Sequence, residues 1–460
     1  MKTLRILAAI ALLLVSAGRC TKASAVTLTN LHSFSPATDG SSPQSTLIQG
    51  SDGFFYGTAF LGGSTNNEGT VFKVSPAGVL TPLHAFGGDD GALPQAALVQ
   101  GTNGNFYGTT TLGGTNNNGT VFQITPAGTL TTLYQFGGID GSIPIAGLVQ
   151  GSDGFFYGVT AHGGTNMNCG SGCGTAFKIN SSGSLTTLHQ FNGTDGSLPE
   201  GTLLQGGDGN FYGTTSTGGT NAIAHGTVFR MTPSGTVTLL HSFGSDGNTP
   251  IGGVIQGTNG SFYGTTQLAP SIVYQITSAG TFTALHQFNG ADGFVVQAGL
   301  VQGSDGNLYG TTVGGGSFAQ GTVYQITSSG TFTSLFSFSG GNGSGPYGSP
   351  VQGYDGNFYG TTYQGGASNA GIVFQLSVPL SPPANQVSGI NVVGTNVVIS
   401  VPSVAGETYQ LQSRISLTAG NWANVAGASN TNSIGGLLTL TDVGNASSSS
   451  QLFYRIAITP

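Results

Sequence analysis

Charge is what this 460-residue chain has least of: Asp, Glu, Lys and Arg together make up 5% of it. Of nine basic residues, Lys2, Arg5, Arg19 and Lys22 fall in the first 25 positions, leaving five against sixteen acidic ones, a net charge of −11. Such a balance repels phosphate backbones and excludes nucleic acid as an expected partner. It also lacks the basic clusters that hold proteins to anionic lipid. Beyond the N-terminus no apolar run is long enough to span a membrane. No segment there has helical periodicity, and no Gly-x-Ser-x-Gly or His-Glu-x-x-His motif occurs. Of three cysteines only Cys169 and Cys173 lie beyond residue 25.

What is abundant is glycine, 81 residues, set between short apolar runs where it reads as turn chemistry. The phrase Tyr-Gly-Thr or Tyr-Gly-Val recurs at Tyr56, Tyr107, Tyr157, Tyr212, Tyr263, Tyr309 and Tyr359, at intervals of 51, 50, 55, 51, 46 and 50 residues. Repeats of that period point to a propeller or a solenoid. Within the third unit, residues 146–151, 155–160, 175–179 and 184–191 are four short runs rich in β-branched and aromatic residues, as strands require. Asp153-Gly154 and Ser182-Gly183 mark tight hairpins. Four antiparallel strands in each of seven units give an all-β chain folded as a seven-bladed β-propeller.

The phase of the repeat predicts how the ring closes. Residues 27–34, TLTNLHSF, are a fourth-strand phrase, whereas the last unit ends on the third-strand phrase at residues 371–376. The N-terminal strand is therefore expected to complete the last blade and remove an exposed sheet edge. The domain plan that follows is a signal peptide over residues 1–25, the propeller over 26–378, a Pro-containing linker over 379–386 and a C-terminal β-sandwich over 387–460. The leader reading rests on a basic start, an apolar run over 6–15 and Ala23-Ser24-Ala25, with cleavage before Val26. Arg19 disfavours a lipid anchor on Cys20. In the tail, five strand-like runs are readable at 390–393, 397–401, 408–412, 437–441 and 453–458, and Trp422 reads as a core anchor or a sugar-stacking ring.

Positions that repeat report what the blade needs. Seven glutamines, Gln49 to Gln352, share one innermost-strand position and read as inter-blade hydrogen-bonding groups. His32, His84, His189, His241 and His286 share a fourth-strand position that Tyr134 and Phe336 fill elsewhere, so the position packs a ring and is neither base nor metal ligand. Asp or Asn in the first hairpin, and a second Asp-Gly set at Asp39, Asp90, Asp140, Asp195, Asp246 and Asp292, read as turn residues.

Where the repeat breaks is the place to look for a ligand, because the longer loops gather on one face of a rigid scaffold. Unit three lengthens its loop over 162–175, unit five shortens its own over 267–274, and unit four between them carries His225. A polar groove is expected near His162, Asn166, Asp195, Asn221, His225 and Asp246. Cys169 and Cys173 are read as a disulfide, the alternative being a metal held by His162 and both thiolates. No catalytic residue, metal or cofactor is expected.

The phrases FYGTT, GG…GTVFQIT and LHQF…DG…P, over residues 27–377, resemble the GloVer tandem repeat of secreted bacterial proteins. ETYQLQSRISL, NWANV and LFYRI in the tail resemble a small β-sandwich that accompanies such repeats. The resemblance implies export and brings no established activity. A secreted or cell-surface monomer that binds polysaccharide or a surface protein is the expectation. The alternatives are a propeller-fold polysaccharide-degrading enzyme and a purely structural surface component.

Overall fold

The structure is a computed structural model that describes residues 26–63 and 66–378 and, in the C-terminal part, 389–393, 396–403, 408–414, 423–431, 436–442 and 453–459. Seven four-stranded antiparallel sheets form the propeller. Each begins with a two-residue inner strand such as Ile48–Gln49, followed by Phe55–Ala59, Thr70–Val74 and the outer strand Leu80–Ala85 in the first blade.

The seventh blade is completed from the other end of the chain. Thr27–Ser33 pairs antiparallel with Ile372–Ser377, Thr27 opposite Ser377 and Ser33 opposite Ile372. The expected ring closure is thus observed. The propeller's first strand and its last residues sit side by side, so the two ends of the propeller meet at one outer corner. That corner lies at the hairpin end of the blade, away from the longer loops.

Second strands are buried along their whole length, which fixes their composition. Phe55 and Tyr56 point to opposite faces of the sheet, and both are covered because a blade packs on a neighbour at either side. Tyr56 stacks on Phe106 of the next blade with ring centroids 3.8 Å apart. The same pairing recurs at five other interfaces, including Tyr359 on Phe55 at 4.1 Å across the closure, and only between blades five and six does Leu308 replace the Phe ring. Each such pair adds about 1 kcal/mol beyond its area burial. The Gly of the Tyr-Gly-Thr phrase is there for space: a Cβ on Gly57 would stand 2.7 Å from Leu47 and 2.8 Å from Phe72.

The repeated glutamine does what its position suggests. The Gln49 amide donates to the Gly53 carbonyl of its own hairpin at 3.0 Å, and its oxygen accepts the Tyr354 N–H of the preceding blade at 2.8 Å. All seven copies make this double bond, so a ring of amide clasps ties each hairpin to the next. In the same hairpins Asp52, Asp153, Asp208, Asp305 and Asp355 accept from the backbone two residues on and from the Tyr hydroxyl of their own blade. At Asn103 and Asn259 the amide donates to that hydroxyl instead.

The C-terminal part holds two three-stranded antiparallel sheets. Val397, Ile399, Tyr409, Leu411, Val425, Ala428 and Leu440 from both sheets share one apolar cluster, the core of a small β domain. Its described residues form six strands where the sequence suggested five: Ala423–Thr431 is the addition, its apolar residues too widely interspersed with Asn, Ser and Gly to stand out. Residues 1–25, the linker and Trp422 lie outside the described residues.

Candidate functional site

The loop face is built from paired side chains. His84 Nε2 lies 2.7 Å from Asp90 Oδ2, while Asp90 Oδ1 accepts the Gly87 N–H and so caps the turn. The same pair forms at His32–Asp39, His189–Asp195 and His286–Asp292. Where the histidine is Tyr134, its hydroxyl donates to Asp140. Where it is Phe336, the acid has become Asn342, which keeps the backbone cap and accepts the Ser339 hydroxyl. The histidines also meet the next Phe of their strand edge-on, as the sequence implied. Their pairing with the second Asp set was missed, although the joint changes His/Asp, Tyr/Asp and Phe/Asn were there to be read.

Asp39 shows the electrostatic consequence. Burial pushes its carboxyl upward, but hydrogen bonds from Thr38, His32 and Ser35 outweigh that and hold it below the usual range. Unit four departs: only five positions separate His241 from Asp246, and the two meet at 2.9 Å without hydrogen-bond alignment. Burial then lowers the His241 imidazole, against the pull of Asp246.

The six residues expected to line a groove fall into two groups. Asn221, His225 and Asp246 converge on one short stretch: Asn221 Nδ2 donates to the Ser242 carbonyl, His225 Nδ1 lies 2.9 Å from the Gly244 carbonyl, and Asp246 accepts the Gly244 N–H. Asp195 is engaged by His189, and Asn166 accepts the N–H of Asn168 in its own loop. His162 pairs by backbone with Ser142, and its buried Nδ1 has no partner among the described residues. Cys169 and Cys173 are joined as a disulfide with Cα atoms 5.1 Å apart. Among the described residues no cluster of three or more His, Cys, Asp or Glu stands ready for a metal.

A more open arrangement lies at the centre of the same face. The segments entering the seven inner strands surround a cavity of about 150 Å³. Every blade contributes, yet the position that follows the entering proline (Val296 in unit six) does not repeat: it is Gln44, Gln95, Ile145, Glu200, Ile251, Gln297 and Tyr347 in turn. The amides of Gln44, Gln95 and Gln297 have no hydrogen-bond partner among the described residues, unlike the clasp glutamines five positions on. Tyr347 meets Tyr363 at 5.0 Å between ring centroids. Glu200 is the single carboxylate of the lining; burial raises it above the usual carboxylate range, and the neighbouring Ser216 hydroxyl draws it partly back. The sequence reading overlooked this ring of positions because it searched the loops for departures in length. The signal was a departure in type at constant spacing.

Outward from the cavity, blades four to six expose Ile223, Leu268, Phe294 and Phe318. Phe294 stands where the other units carry Ser41, Ala92, Ser142, Ser197, Asn248 and Ser344. Its ring rests on Gly314, where any Cβ would strike it.

These features define a closed seven-bladed propeller with a regular hairpin face and an irregular loop face. The profile of the Gloeobacter/Verrucomicrobia repeat matches residues 18–171, 144–271 and 224–382, and the chain belongs to that family. No curated protein matches the sequence. Among solved structures, a gluconolactonase from Xanthomonas campestris is similar at 11% identity and a TM-score of 0.41, over 63% of this chain and 87% of its own. A luciferin-regenerating enzyme is similar at 10% identity and a TM-score of 0.40, over 73% of this chain and 92% of its own. A putative gluconolactonase gives 13% and 0.38, over 67% and 91%. Likeness of that degree assigns no activity.

Proposed function

We propose that the protein is a secreted or cell-surface binding module whose loop face takes a polysaccharide chain. One observation carries this reading. On a scaffold where nearly every side chain repeats, the loop face gathers an irregular set of free amides, a carboxylate and exposed rings around one cavity. Free amides and carboxylates bond to hydroxyl groups, and aromatic faces such as Phe294 and Tyr347 suit the apolar face of a sugar ring. In this reading the loop residues His162, Asn166, Asn221 and His225 extend the same binding surface. The lining offers one carboxylate, whereas glycoside hydrolysis in its usual form uses two, which favours binding over turnover.

Export by a signal peptide over residues 1–25, and a C-terminal β-sandwich that serves as the tether, complete the proposal. The first and last residues of the propeller meet at the hairpin end of the last blade, which supports a loop face turned away from any attachment. A glycan array probed with mature protein, residues 26–460, is the test. Binding without turnover is the expected result; no binding to any glycan would refute the reading.

A further inference from the structure

The cavity at the ring centre has a charge pattern that goes beyond a general affinity for sugar. This inference rests on the polysaccharide reading above. Among the seven side chains that follow the entering residue, three are amides, two are isoleucines, one is tyrosine and one, Glu200, is acidic. None is basic. The three cations of the propeller, Lys73, Lys178 and Arg230, lie outside the lining and are engaged elsewhere: Lys73 on the Pro126 carbonyl and the Phe54 ring, Lys178 over Phe155, Arg230 beside the Tyr212 hydroxyl. An acidic sugar entering the cavity would meet a carboxylate and no counter-charge. A neutral sugar would find acceptors and donors for its hydroxyls in Gln44, Gln95 and Gln297. An ammonium-bearing sugar would find these and an opposite charge as well.

Glu200 is also placed rather than merely present. Pro199 before it and Gly201 after it are both buried, so the backbone at this point has little freedom. The Ser216 hydroxyl, which donates to the Leu198 carbonyl at 3.2 Å, lies beside the carboxyl group. In the other units the Ser216 position is Phe60, Thr111, Ala161, Gln267, Val313 or Tyr363, so the acid and its hydroxyl neighbour occur together once.

We propose that the cavity at the centre of the loop face is a subsite for one sugar residue, and that Glu200 makes it prefer an amino sugar with a free ammonium over a neutral sugar, and a neutral sugar over a uronate. The carboxylate accepts from the ammonium, the free amides hold the ring hydroxyls, and the Tyr347–Tyr363 pair offers a flat apolar side.

The test is titration calorimetry on mature protein with three probes of equal length: a glucosamine tetramer, an N-acetylglucosamine tetramer and a galacturonate tetramer, in buffer that keeps the amines protonated. The glucosamine tetramer is expected to bind about tenfold or more tightly than the acetylated one, and the galacturonate tetramer weakest, from the worth of one partly desolvated charge pair. Glu200→Gln keeps the shape and the Ser216 contact; it should erase the preference for the amine while binding of the acetylated tetramer stays within about twofold. Gln297→Ala, a milder change, should weaken the two non-acidic probes alike. An unchanged ranking in Glu200→Gln, or galacturonate bound as tightly as the others, overturns the subsite. If the glycan array shows binding while Glu200→Gln changes no ranking, the subsite falls and the binding module stands. Silence of the wild-type protein on the array removes both.

Discussion

Two buried hydroxyl groups make the structure open to a sharp stability test. The third strand carries Phe72, Phe122, Phe177, Phe229 and Phe374 in five blades, but Tyr274 and Tyr324 in blades five and six. Both tyrosines are fully buried, and their hydroxyls have no partner among the described residues. Each oxygen lies against the backbone of Gly264 or Gly310. Burying an unpaired hydroxyl costs about 1–3 kcal/mol. Removing one oxygen forfeits about 0.5 kcal/mol of dispersion attraction to the atoms around it. Tyr274→Phe and Tyr324→Phe are therefore expected to stabilise the protein by about 1 kcal/mol each. They sit in different apolar clusters, so the double variant should gain about 2 kcal/mol. In a domain of this size that is a rise in melting temperature of about 1–3 °C per substitution. Thermal unfolding followed by calorimetry reads this directly, with Phe122→Tyr as the opposite control, expected to lower the transition. A loss of stability in both Phe variants would refute the reasoning and show that each hydroxyl contributes through a partner.

The His–Asp pairs predict a compensation: His84→Phe should cost about 1 kcal/mol, and adding Asp90→Asn should recover most of it, as the pair Phe336 and Asn342 does naturally; urea midpoints of the four proteins measure the coupling. Gln49→Ala removes both halves of the clasp across the closure and should lower stability by about 1–2 kcal/mol, no more than Gln150→Ala, because the seam is built like every other interface. Alkali should unfold the ring. Burial and the bonds to Asp140 and Asp208 push Tyr134 and Tyr212 up to about 12 from 10.0, so the folded state favours the protonated phenol. Its contribution is complete below pH 10 and is lost as the pH climbs through 12, so phenolate absorbance should rise together with loss of the strand signal in circular dichroism. Ile143 has φ 56°, in the left-handed region that strains a β-branched residue, and unit seven uses Gly345 there; Ile143→Gly should be neutral or raise stability by up to about 1 kcal/mol, read from the same urea midpoints.

The architecture was legible because it is written seven times. Strand runs, Asp-Gly turns and the shared glutamine recur at fixed offsets, and the displaced fourth-strand phrase at residues 27–34 revealed the closure. The candidate site was less so. Asp195, Asn221, His225 and Asp246 attracted attention as polar loop residues, and each turns out to bond within its own blade or the turn that follows it. Local hydrogen bonds of this kind depend on loop conformation, which composition does not specify. Glu200 escaped notice for a different reason. Its neighbours in space are residues about fifty positions away on either side, so its isolation among amides appears only once the ring is closed.

That closure is also the claim on which the cavity, the two faces and the subsite depend. Hydrogen exchange of the mature protein, resolved over residues 27–33 and 371–377, tests it most directly. Amides of the first strand that bond to Ile372–Ser377 should exchange as slowly as those of the outer strand Leu130–Gln135 in blade two. Rapid exchange through residues 27–33, with blade two still protected, would contradict a ring sealed by its own N-terminal strand.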